Sequence, residues 1–145
     1  MQMKGSGGAK EGKGVAVNAR AISKGIGEGE AMVSADAISF FGGVDPKTGI
    51  VVDRGHPLEG KCVAGKVLVF PRGKGSTVGS YVLLQLRKNN CAPAAIINEE
   101  AEPIIAVGAI IARIPMVDKL EGGAYAKIKD GARVKVDGSK GETVF

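Results

Sequence analysis

The chain has no tryptophan, a single histidine and two cysteines, and only 4% of its 145 residues are aromatic. Each scarcity closes off a class of function. So few rings leave no platform on which nucleobases could stack. The Lys and Arg that give a formal charge of +5 are interspersed with Asp and Glu rather than gathered in a block. That favours a small anionic substrate or an acidic partner over nucleic acid. Cys62 and Cys91 belong to no C-x-x-C motif, and they read as free buried thiols of a cytosolic protein. Together with His56 they are too few to ligate a conventional iron–sulfur cluster or a structural zinc within this chain. No apolar run approaches the length of a membrane span, and the N-terminus reads as lacking the apolar segment of a signal peptide.

What the chain does have is glycine, 23 residues of it, and an apolar content of 44%. Without tryptophan and with few other rings, the core must be built from Val, Ile, Leu and Ala. Met1 to Gly14 is rich in Gly and Lys and shows no periodicity, so residues 1–14 read as a flexible N-terminal tail. Residues 15–145 read as one domain, large enough to bury a core without covalent staples.

The most informative stretch runs from Val67 to Leu86. Val67-Leu68-Val69-Phe70 is the short apolar run of a buried strand, and Pro71 ends it because proline cannot donate to a sheet ladder. Arg72 to Thr77 then carries two glycines, two cations and two hydroxyls. Val78, Val82 and Leu86 recur every fourth residue with Leu83 beside them, which predicts a helix over Thr77–Asn89. Ser76 or Thr77 is a natural N-cap for it. A strand, a glycine-rich turn and a helix N-terminus form an anion site, because backbone N–H groups and the positive end of the helix dipole face one point. A tight turn that needs glycine only for its backbone angles satisfies the same pattern, and on geometry both readings stand. Neither the Walker pattern nor the dinucleotide fingerprint is present: Lys74 precedes Gly75, and Gly79 falls one position late.

Elsewhere, alternation over Val15–Ile22 suggests a strand, Gly25–Gly29 a turn and Glu30–Ser34 a second strand. The apolar Ala37–Phe41 ends at Gly42-Gly43. Asp45-Pro46-Lys47-Thr48-Gly49 has the chemistry of a type I turn closed by a left-handed glycine, with Ile50–Val52 as the returning strand. Asp53–Gly65 reads as loop, and its isolated His56 as a surface or structural residue. Pro93–Asn98 is a further apolar strand. Glu99, Glu100 and Glu102 place acids at a helix start, with Pro103 in the first turn and the helix continuing through Ile104–Ala112. Ile114–Val117 makes a third strand, completing β-α-β-α-β with right-handed crossovers. Gly122-Gly123 breaks the chain, and Arg133–Asp137 alternates as a last strand.

Three segments then carry a resemblance together. Ile38 to Pro46 with Thr48-Gly49, the loop Pro71 to Ser80, and Ala94 to Asn98 followed by Glu99 to Pro103 are similar, in order and spacing, to the small subunit of the aconitase X family. The resemblance covers about Val15 to Leu120. It implies an α/β fold, a swivelling β/β/α domain whose β-rich N-terminal half precedes a βαβαβ unit. It implies a large subunit carrying a [4Fe–4S] cluster, in keeping with the ligand count above. It further implies a hydro-lyase that dehydrates (R)-5-phosphomevalonate to trans-anhydromevalonate 5-phosphate in a variant mevalonate pathway. By the same resemblance Ser76 is the proton acceptor. Arg72, Gly73, Lys74, Gly75 and Thr77, with Ser39, Gly42 and Gly43, are the residues expected to face substrate, although a plain hairpin turn accounts equally well for the tandem glycines. Arg72 and Lys74 stand where relatives often have Gly and Arg, so the cation that meets substrate is not assigned.

An alcohol hardly ionises near neutrality, so a serine base needs its alkoxide stabilised. Dipole contributions of about 0.3–1 kcal/mol, or about 2 kcal/mol in partly buried sites, do not suffice alone. The rest must come from a water-excluded site formed on assembly. Two other readings stand beside this one: a cis-3-hydroxy-L-proline dehydratase or other hydro-lyase of the same family, and a non-catalytic anion-binding domain using the same loop. A phosphohistidine swivelling domain is disfavoured, because His56 is not on the glycine loop.

Overall fold

A computed structural model describes residues 14–145. The tail read from the sequence therefore lies, apart from Gly14, outside the described residues. The strands are β1 (Ala16–Asn18), β2 (Arg20–Ser23), β3 (Ile26–Val33), β4 (Val67–Phe70), β5 (Ala95–Asn98), β6 (Met116–Asp118), β7 (Arg133–Asp137) and β8 (Glu142–Val144). Between them lie α1 (Phe40–Gly43, one irregular turn), α2 (Gly79–Lys88), α3 (Pro103–Ala112) and a 3-10 segment at Glu121–Lys127.

The strand order is β1-β8-β7-β3-β4-β5-β6-β2. β3, β4, β5 and β6 are parallel, with α2 and α3 as the crossovers that join β4 to β5 and β5 to β6. β3 is long enough to serve two layers: Ile26–Glu30 pairs with β7, and Ala31–Val33 pairs with β4. β1 and β2 sit at opposite ends of the order although only Ala19 separates them, so the chain turns a corner there from one layer to the other.

β4 is apolar throughout, and β5 and β6 are apolar up to their last residue, because both of their faces are covered. Leu68, Phe70, Ile96 and Met116 point to the helix side, where Val82, Leu83, Leu86, Ile105 and Ala109 close over them. Val67, Val69, Ala95, Ile97 and Val117 point the other way and meet Ala31, Val134 and Val136. The result is sheet on sheet on helices, the β/β/α arrangement expected. Truncating a fully buried side chain such as Leu83 or Leu86 to Ala costs about 2–5 kcal/mol. Arg87 ties the two helices together by donating from Nε to Ala112 O (2.9 Å) and from Nη2 to Arg113 O (3.1 Å). No helix among the described residues is long and apolar enough to cross a membrane.

Several local expectations change. Val15–Ile22 is two strands, since alternation reports side-chain parity but not the partner: β1 pairs with β8 and β2 with β6. Gly25–Gly29 is largely strand rather than turn. Gly27 and Gly29 lie inside β3, where the carbonyls of Ala94 and Gly65 occupy the space a Cβ would need. The Asp45–Gly49 turn forms as read, with Asp45 Oδ1 accepting from Lys47 N at 2.9 Å and Gly49 at φ +79°. Its returning segment makes only the isolated bridges Val44–Val51 and Ile50–Cys62. Arg133–Asp137 is followed by a further strand, β8, which lacked a periodic signal at three residues. Cys91 is buried, but Cys62 is exposed. His56 is structural: Nδ1 accepts from Leu58 N at 3.1 Å and Nε2 lies 3.1 Å from Ala37 O, bracing the 53–65 loop.

Candidate active site

The site grows from the carboxyl ends of the parallel strands, where the loops leaving a sheet converge. Ile38 N donates to Arg72 O at 3.2 Å and Lys74 N to Ile38 O at 3.0 Å, so the 38–43 segment runs alongside the loop after β4. Phe40 anchors that segment by packing edge-on against Phe70, with centroids 6.0 Å apart. Ser39 thereby comes against Gly75: a Cβ on Gly75 would stand 2.5 Å from Ser39 Oγ, and Gly75 takes φ +92°.

The loop glycines differ in what they do. Gly75 is exposed and left-handed, open to a ligand. Gly73 is buried, and a Cβ there would enter Ile105 and stand 2.7 Å from Glu102 Oε1, so packing on α3 demands its small size. Gly42, at φ +82°, lines a groove with Val78, while Gly43 is buried between Ser39 and Asp53. Arg72 to Thr77, Ser39, Gly42 and Gly43 thus gather at one edge of the domain.

The helix start differs from the expectation in register. Val78, not Ser76 or Thr77, is the N-cap residue of α2, and no side chain caps it. Ser76 Oγ instead accepts from Val78 N at 3.1 Å. The turn is closed by backbone, Gly79 N to Ser76 O at 3.0 Å and Ser80 N to Thr77 O at 3.2 Å. Among the described residues the N–H groups of Gly75, Ser76 and Thr77 find no acceptor. The first turn of α2 carries no acid, so its positive end faces the loop uncompensated. α3 is the opposite case: Glu102 caps it, accepting from Ile104 N at 2.9 Å and Ile105 N at 2.7 Å. Of the two helix starts at this edge, only that of α2 is open to an anion.

The two loop cations also part. Tyr125 has its hydroxyl pushed up to about 12 by burial and by the Glu99 charge, with Arg72 opposing. Arg72 is thus close enough to Tyr125 to oppose that rise. Lys74 is exposed beside Ser39 and Gly75 and makes no ion pair among the described residues.

Two buried polar residues beneath this edge escaped the sequence reading. Asn98 ends β5 with no exposed surface; its Nδ2 donates to Phe70 O at 3.0 Å and its Oδ1 has no partner among the described residues. Asp118 ends β6, holds Arg20 through two bonds of 2.9 and 2.8 Å, and accepts from Ala101 N at 2.7 Å, pinning the loop that leads to Glu102. That bond and charge raise the Arg20 guanidinium above its ordinary range. The available signal was a polar residue directly ending an apolar strand at its carboxyl end.

The residues that could ligate a metal do not assemble: among the described residues no group of three His, Cys, Asp or Glu comes together. His56 is engaged at both ring nitrogens. Cys62 and Cys91 lie against the Asp45–Gly49 turn, donating to Thr48 O and Pro46 O. This chain's donor set does not fit an iron–sulfur cluster.

Residues 16–145 match the family model described as the aconitase X swivel domain. The chain is similar to the phosphomevalonate dehydratase small subunit of Methanosarcina mazei, at 64% identity over 84% of this chain and 85% of that one. It is similar also to that of Methanococcoides burtonii, at 57% identity over 88% and 93%. Among solved structures it superimposes on the aconitase X of Thermococcus kodakaraensis in its holo-form, with a TM-score of 0.85 and 53% identity over 90% of this chain and 98% of that one.

Proposed function

The chain belongs to the aconitase X swivel-domain family, and we propose that it is the small subunit of a phosphomevalonate dehydratase, a cytoplasmic hydro-lyase completed by a large subunit. The names of relatives at 64% and 57% identity, over most of both chains, carry this reading. In it the large subunit would hold a [4Fe–4S] cluster, which would supply Lewis-acid chemistry toward the leaving hydroxyl. What this chain contributes is a base and an anion cradle.

Ser76 is the base. A hydroxyl oxygen has two lone pairs, and Val78 N–H occupies one at 3.1 Å. The other remains for the proton of the substrate carbon beside the carboxylate. The same N–H, at the positive end of α2, stabilises the alkoxide, whose own proton passes to solvent while Ser76 is still exposed, and the substrate proton then restores the hydroxyl. Lys74 and the N–H groups of Gly75 and Thr77 receive substrate anion, with Ser39 Oγ beside them. Arg72, near Tyr125, adds positive charge at the rim. Gly42 and Gly43 shape the facing wall. Ser76 is exposed in the chain alone, so the dry surroundings that an alkoxide requires arise when the partner closes over it.

The test is reconstitution under anaerobic conditions with the large subunit. The mixture dehydrates (R)-5-phosphomevalonate, followed by mass spectrometry, and each chain alone does not. Dehydration by this chain alone, or activity of the mixture only on cis-3-hydroxy-L-proline, overturns the reading.

A further inference from the structure

We propose that the apolar groove beside the Ser76 loop is the docking surface for the large subunit, an inference that rests on the two-subunit reading above. Phe41 (54% exposed), Val52 (50%), Val78 (41%) and Tyr81 (67%) come from three separate segments and converge with Gly42 around a cleft of about 460 Å³. Side chains of this size left exposed together mark an interaction site on a soluble protein. Tyrosine is moreover among the residues that most often anchor interfaces.

Continuity with the site identifies the occupant. Val78 is both a wall of the groove and the N–H donor to Ser76 Oγ. Phe41 is a second wall, and its carbonyl accepts from Ser39 Oγ at 3.2 Å. A body that covers Ser76 closely enough to exclude water must extend over Val78 and Phe41. The other exposed apolar ridge, Val107, Ile110 and Ile111 on α3, shares no residue with the loop. It is separated from the groove by α2, whose Ser80 packs on Gly108 of α3. The groove, not the ridge, is the surface the partner must cover.

The experiment compares Tyr81→Glu and Val52→Lys with Ile110→Glu and Ile111→Glu, all at exposed positions outside the catalytic loop. Affinity for the purified large subunit is measured by calorimetry, and turnover is measured at saturating large subunit. Folding of each variant is checked by its melting temperature. Each groove variant weakens association by about thirty-fold or more, the scale of a hot-spot residue, while turnover at saturation stays near wild type. The ridge variants bind normally. Unchanged affinity in both groove variants, loss of affinity in the ridge variants instead, or a raised KM with association intact overturns the proposal. So does self-association of this chain through the groove. Should the wild-type chain fail to bind the large subunit at all, the two-subunit reading falls first and this one with it.

Discussion

Ser76→Ala separates catalysis from folding because the structure makes its folding cost small. The substitution removes one hydrogen bond, Val78 N to Ser76 Oγ at 3.1 Å, at an exposed position where water can replace the acceptor. The net loss sits at the low end of about 0.5–1.5 kcal/mol, equivalent to a melting-temperature drop of about 1–2 °C for a domain of this size. The turn itself survives, since Gly79 N to Ser76 O and Ser80 N to Thr77 O use backbone only, and Val78 remains the cap residue of α2. Loss of a general base costs about 10²–10⁴-fold in turnover, or about 2.7–5.4 kcal/mol of barrier at 1.36 kcal/mol per decade. The catalytic effect therefore exceeds the structural one severalfold in free energy. The assay measures melting temperature, affinity for the large subunit, and turnover per complex at saturating partner. Thr77→Ala is the control, removing the adjacent hydroxyl, which makes no hydrogen bond among the described residues. A Ser76→Ala complex that keeps more than about a tenth of wild-type turnover, short of the loss a base implies, refutes the assignment and leaves the loop an anion cradle.

Gly73→Ala should destabilise the chain by about 1–3 kcal/mol and lower turnover, because the added methyl enters Ile105 and the Glu102 cap; unchanged melting refutes the packing account. Tyr125, held at about 12 against an unfolded value near 10, binds its proton more tightly folded. Its contribution is fully present below pH 10 and is lost as pH rises through 12. Absorption of tyrosinate should show a step near pH 12 that Tyr125→Phe removes, with melting temperature falling over the same window. Iodoacetamide at neutral pH should label Cys62, which is exposed, well before Cys91, whose thiol is pushed up by burial and then by Cys62 and Asp45; equal labelling in the folded chain contradicts this.

Sequence alone determined the elements whose signal is local. The apolar runs Val67–Phe70 and Pro93–Asn98, the four-residue stripe from Val78 to Leu86, and Pro103 in a first turn each declare their own state. The order and spacing of the three marker segments identified the family and placed Ser76 on its loop. Tertiary structure decided whatever depends on the partner across space. Ala19 divides one alternating stretch into two strands because β8 claims one half and β6 the other. Gly27 is a strand residue because the Ala94 carbonyl approaches it. The open helix start belongs to α2 and not α3 because Glu102 folds back onto its own N–H groups, while Ser76 reaches only Val78. Lys74 and Arg72 are indistinguishable as cations in the sequence; folding sets them apart by bringing Tyr125 near Arg72 from a distant segment. Side-chain parity and propensity act over a few residues and can be read from the chain. Electrostatic fields and close packing act over a few ångströms between segments far apart in sequence, and only folding brings those together.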